Sequence, residues 1–122
     1  MKLIERGIEM KLHKNCSEER LIKYGFLKYG TKYINRITLH RYKKSTVIEM
    51  VITVEINDEQ SYITYDVLTN GDTYIPYYNN EYSKCNLVLK KVKRKVNAEI
   101  KKMKESGIIE TEPKRTKYKE KR

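Results

Sequence analysis

The chain is 122 residues long and carries 27 Lys and Arg against 16 Asp and Glu, a formal net charge of +11. That length suits one domain with a modest core and excludes the layered interior of a cofactor-binding enzyme. Five Gly and two Pro exclude a low-complexity chain, and no apolar run approaches the ~18–20 residues of a membrane span.

Residues 2–13 read two ways, because Leu3, Ile4, Ile8 and Leu12 fit a helical stripe that Gly7 weakens. Residues 1–6 show neither an apolar core nor a small-residue cleavage site, so no signal peptide and a cytoplasmic location are expected. Cys16 and Cys85 are then expected as free thiols. Residues 17–26 predict a short helix with both ends marked. Ser17 caps its start, Glu18 and Glu19 suit the positive end of its dipole, and Gly25 takes the left-handed position that folds Phe26 back on Leu21.

From residue 32 the period changes to two. Residues 32–41 read as a first strand, and the basic loop Arg41-Tyr42-Lys43-Lys44-Ser45 leads to a second. There Ile48, Met50, Ile52, Val54 and Ile56 alternate with Val47, Glu49, Val51, Thr53 and Glu55. Asn57-Asp58-Glu59 reads as a turn, and Ile63, Tyr65 and Val67 mark the buried face of the next strand. Asn70-Gly71 signals a type I′ hairpin into a short strand near residues 74–77, with Pro76 at its edge or end.

The last element is a helix over residues 82–106. Cys85, Leu89, Val92, Val96, Ile100 and Met103 recur at spacings of three and four, and Gly107 ends it with Ile108 placed against Met103. Residues 111–122 are too polar to order themselves and read as a disordered basic tail. The expected fold is α+β: a single domain over residues 1–110, an antiparallel meander of three or four strands with a short N-terminal helix and a long basic C-terminal helix packed on one face.

The charge is not spread evenly. Residues 1–80 hold 12 basic and 10 acidic side chains, net +2, whereas residues 81–122 hold 15 basic and 6 acidic, net +9. On a helical projection Lys90, Lys93, Arg94, Lys101 and Lys104 lie opposite the apolar stripe, and Lys91, Lys95 and Lys102 flank it. Cations that neutralise phosphates release counterions, so this segment reads as a polyanion footprint, with a merely solvated helix face as the alternative. The expected phosphate contacts are Lys90, Lys91, Lys93, Arg94, Lys95, Lys101 and Lys102, with Arg41, Lys43 and Lys44 as a second patch. The apolar stripe is used by the core and lacks Trp or Phe anchors, so a membrane partner is not expected.

Eleven tyrosines stand against one Phe and no Trp. Tyr65 shares the buried register of its strand, whereas alternation brings Tyr62, Tyr77 and Tyr78 to the surface, where they can stack on bases or anchor an interface. The alternative is Tyr standing in for Phe on a thin sheet, with hydroxyls at the water boundary.

Chemistry is sparse. His13-x-x-Cys16 has a chelating spacing that His40 and Cys85 could complete, but no second close pair supports a zinc site, so neither metal nor cofactor is expected. Glu99-Ile100-Lys101 lies on the basic helix rather than a strand, and Asp66, Glu49 and Glu55 face outward. No catalytic residues emerge, and an enzyme is not expected.

The segments Leu21-Ile22-Lys23-Tyr24-Gly25-Phe26, Gly30-Thr31-Lys32-Tyr33 and Ser106-Gly107-Ile108-Ile109 resemble small uncharacterised proteins of phages and mobile elements in AT-rich Firmicutes. The resemblance covers about residues 17–110 and implies a cytoplasmic accessory protein. The αβββα order with a basic last helix is also similar in topology to a double-stranded RNA-binding domain. That family has a Gly-Pro-x-His loop where this chain has Arg41-Tyr42-Lys43-Lys44-Ser45. The expected function is a non-enzymatic, phage- or element-encoded binding protein that contacts nucleic acid or a nucleoprotein. The alternatives are an anti-CRISPR-type inhibitor of host defence, acting on a host protein or guide RNA, and a structural virion component.

Overall fold

Strict alternation in the middle of the chain builds the sheet. In the computed structural model, which describes residues 7–56, 61–79 and 87–110, six strands run as β1 (Ile8–Met10), β2 (Leu27–Tyr29), β3 (Lys32–Tyr42), β4 (Thr46–Glu55), β5 (Tyr62–Thr69) and β6 (Asp72–Thr73). They form one antiparallel sheet in the order β1-β5-β4-β3-β2, with β6 also on β5. Ile48, Met50, Ile52 and Val54 of β4 are buried beside Val67, Tyr65 and Ile63 of β5, because the register sets Met50 opposite Val67 and Val54 opposite Ile63. A one-residue slip would turn this whole set outward, so burial specifies the pairing. β1 and β6 share the outer edge of β5, the first opposite Ile63–Tyr65 and the second opposite Leu68 and Thr69.

The turns follow their residue chemistry. Asn70 (φ 49°) and Gly71 (φ 90°) both sit at positive φ, as a two-residue type I′ hairpin requires. The Asn70 side chain also accepts the Val47 N–H at 2.9 Å and donates to the Ser45 carbonyl at 2.8 Å, fastening this turn to the start of β4. Lys43 (φ 59°) takes the left-handed position between β3 and β4.

β3 carries a bulge: Thr38 opposes Glu49, the next partner pair is His40 with Ile48, and Leu39 is the extra residue. Leu39 is fully buried, and both ring nitrogens of His40 are closed off without a hydrogen-bond partner among the described residues. An unsatisfied buried polar group costs ~1–3 kcal/mol. We therefore expect His40→Leu to raise stability by about 1 kcal/mol, read as a higher urea midpoint at unchanged m-value. A lower midpoint would show that the imidazole is bonded.

Helix α1 (Glu18–Tyr24) has the ends the sequence predicts. The Ser17 hydroxyl accepts the Arg20 N–H at 3.2 Å, Gly25 sits at φ 128°, and the Phe26 N–H reaches the Leu21 carbonyl at 3.0 Å. Leu21 and Phe26 are both buried. A single helical turn, α2 (Ile75–Tyr78), follows β6, and α3 (Leu87–Glu105) is the long helix. Leu89, Val92, Val96, Ile100 and Met103 are buried and join one core with the inner face of the sheet, Leu21, Phe26 and Tyr77. At its end Gly107 takes φ 78° and the Ile108 N–H bonds the Met103 carbonyl at 2.9 Å, burying Ile108. The chain then runs beside the segment after β1, with Leu12 bridging Ile109 and the His13 N–H on the Ile108 carbonyl at 2.9 Å.

Several expectations change. Among the described residues the sheet has six strands rather than three or four, because β1 and β2 have three residues each and β6 two, too short to show a period. The ambiguity over residues 2–13 resolves, over Ile8–Met10, to strand. Residues 75–78 form a helical turn, not a strand: Pro76 lies in its first turn, where the missing N–H has no partner to lose and φ is already helical. With a strand before α1 and another after it, the element order also departs from αβββα. The Asn57-Asp58-Glu59 turn, the helix start near residue 82, Cys85 and residues 111–122 lie outside the described residues.

Candidate nucleic-acid interface

Burying one stripe of α3 leaves its other sides to water. Lys90, Arg94, Lys95, Lys101, Lys102 and Lys104 are exposed, and Lys91 and Lys93 are half-buried. Lys93 does not lie opposite the stripe as projected. It stands four residues after Leu89 and three before Val96, which places it on the flank of the buried side. The ion pairs Lys11–Glu110, Lys28–Glu18 and Arg36–Glu49 all lie off α3. Among the described residues, none of Lys90, Lys91, Arg94, Lys95, Lys101 and Lys102 is neutralised by a carboxylate.

The acid within this run has a partner on α1. Glu99 is half-buried and accepts the Tyr24 hydroxyl at 2.5 Å, tying α3 to α1. Burial, then the hydrogen bond and charge of Glu99, hold the Tyr24 proton on far above the ordinary tyrosine range. The Lys102 ammonium stands 5.7 Å over the Tyr24 ring. Tyr24 thus organises one side of the basic face, a role that its sequence position did not reveal, since its partners are 75 and 78 residues away.

The second patch is placed at one end of the sheet. Arg41 at the end of β3 and Lys43 and Lys44 in the following turn are exposed. Tyr42 is 56% exposed, with the Lys43 ammonium 5.4 Å from its ring centre. It is an exposed aromatic among cations, and the run Arg41-Tyr42-Lys43-Lys44 was its signal.

The three tyrosines assigned to stacking do not form one surface. Tyr77 is 3% exposed, its hydroxyl 2.7 Å from that of Tyr65 and its ring edge-on to it, so it is core. Strand alternation does not apply to it, because it belongs to a helical turn that points it inward. Tyr78 is half-buried, accepts the Val67 N–H at 2.9 Å and donates to Asp66 at 3.3 Å. Burial chiefly pushes its hydroxyl up, helped by Asp66. Tyr62 is half-buried on the outer sheet face and donates to Glu55 at 2.5 Å, a bond that raises its proton affinity.

The groups weighed for chemistry are held locally. His13 Nδ1 accepts the Asn15 N–H at 3.0 Å, and burial pushes the Cys16 thiol up, away from the thiolate that a metal or a substrate would need. Glu49 pairs with Arg36 at 3.2 Å, Glu55 takes Tyr62, and Asp66 takes Tyr78. Among the described residues no three His, Cys, Asp or Glu side chains converge as metal ligands, and no helix is long and apolar enough to cross a membrane.

No family model and no curated protein matches the sequence. The fold is similar to that in the crystal structure of a DUF1831 family protein from Lactobacillus plantarum, with a TM-score of 0.56 and 12% identity over 80% of this chain and 82% of that one. At that identity the likeness is one of fold.

Proposed function

We propose that the chain is a non-enzymatic basic binding protein that contacts nucleic acid, free or within a nucleoprotein, through the cations of α3, with the basic residues 111–122 adding to the attraction. One observation carries this: a row of cations on α3 without carboxylate partners among the described residues, on a chain whose first 80 residues are almost neutral. An exposed ammonium that meets no carboxylate keeps its full field toward an incoming phosphate, and each phosphate neutralised frees condensed counterions.

The test is fluorescence anisotropy of the full chain with labelled nucleic acid over a salt series. Six phosphate contacts on a duplex give a slope of log K against log salt of about −5. A variant with Lys90, Lys91, Arg94, Lys95, Lys101 and Lys102 all changed to Gln keeps helix-forming side chains and should lose most of that affinity and slope. Affinity that is flat with salt, or unchanged in the variant, overturns the proposal.

A further inference from the structure

We infer that the partner of this face is duplex DNA, met in its major groove by the crest of α3, an inference that rests on the nucleic-acid reading above. Six of the eight cations of α3, all but Lys93 and Lys104, fall into two rows of the same spacing. Lys90, Arg94 and Lys101 form one, and Lys91, Lys95 and Lys102 the other, each following i, i+4, i+11. At ~100° per residue each row stays within ~40° of a line along the helix, and the two lines stand ~100° apart. Each row spans ~16 Å at ~1.5 Å per residue, a length equal to the axial rise of about five base pairs at ~3.4 Å each.

Between the rows the crest is low. Ala98 lies at its middle and is exposed, with Leu87 at one end, 77% exposed, and Glu105 at the other. A helix ~10–12 Å across matches a B-form major groove ~12 Å wide and ~8.5 Å deep. Inserted crest-first, α3 turns one row toward each sugar–phosphate backbone. The deep, narrow major groove of A-form RNA does not admit a helix. Single strands are held largely by stacking on aromatic rings, and the 19 residues of α3 include no Phe, Tyr or Trp. The rows meet phosphates, and the short crest offers few groups to base edges, so binding is tolerant of sequence.

The experiment compares the full chain on three probes of one sequence: a 16-base-pair DNA duplex, the matching RNA duplex and the single DNA strand. We expect the DNA duplex to bind at least tenfold more tightly than either other probe, a result that needs no variant. Changing Lys90, Arg94 and Lys101 to Gln, or Lys91, Lys95 and Lys102 to Gln, should each weaken duplex binding at least tenfold and reduce the salt slope by about 3. The inference is overturned if RNA duplex or single strand binds as well as DNA, or if one row carries all the affinity. No affinity for any probe overturns the nucleic-acid reading itself.

Discussion

Replacing Phe26 by Ala should lower the thermal midpoint by about 10–20 °C, as measured by calorimetry. Phe26 is 1% exposed and closes the end of α1, with its N–H on the Leu21 carbonyl at 3.0 Å and the Tyr24 ring 5.9 Å away. Truncating a buried Phe removes its transfer free energy and leaves a cavity, together ~3–5 kcal/mol, a large share of the ~5–15 kcal/mol that holds a domain folded. The neighbouring Leu27 is 61% exposed. Leu27→Ala makes no cavity and should stay within ~0.5 kcal/mol of the parent. Equal effects at the two positions would contradict the placement of α1 against the core. The consequence reaches the basic face, because α1 carries Tyr24, whose hydroxyl donates to Glu99 and whose ring faces Lys102.

Stability should also fall steeply above about pH 10, the ordinary tyrosine value, and two tyrosines carry the effect. Burial raises the proton affinity of both Tyr24 and Tyr78, with Glu99 assisting at the first and Asp66 at the second. In the unfolded chain both titrate near the ordinary value. Above it the unfolded state releases protons that the folded state keeps, so the contribution is complete below ~pH 10 and is lost as pH rises. For Tyr78 the slope is about 1.4 kcal/mol per pH unit. Tyr24 contributes less, because water reaches its half-exposed ring and screens Glu99. Urea midpoints at pH 8, 10 and 11 for the parent, Tyr78→Phe and Tyr24→Phe provide the test. Each variant should lose less stability across that range than the parent, and three parallel profiles would show that neither hydroxyl is held.

How far the letters alone reach depends on the range of the interaction. The Ser17 and Gly25 ends of α1, the Gly107–Ile108 end of α3 and the Asn70-Gly71 turn are decided within a few residues, and each is where its local chemistry places it. The buried face of β4 and the apolar stripe of α3 were equally legible, since one period repeats over ten residues or more. Concentration of the excess charge after residue 80 needed only counting.

The remainder was settled by partners distant in the chain. A three-residue strand such as Ile8–Met10 exists because β5, more than 50 residues on, offers an edge to its backbone groups. Tyr77 is core because Tyr65 waits under α2, and Lys93 is half-buried because it stands beside the stripe that the sheet covers. Glu99 is bound at the foot of α1 because Tyr24, 75 residues away, donates to its carboxylate. The sequence by itself determined the periodic elements, their ends and where the charge is concentrated, all set by neighbours within a turn or a strand. Which cations stand free, which tyrosines are buried and how the short strands pair were decided only by tertiary structure. Burial and long-range hydrogen bonding come into being when distant segments meet, and no local pattern encodes them.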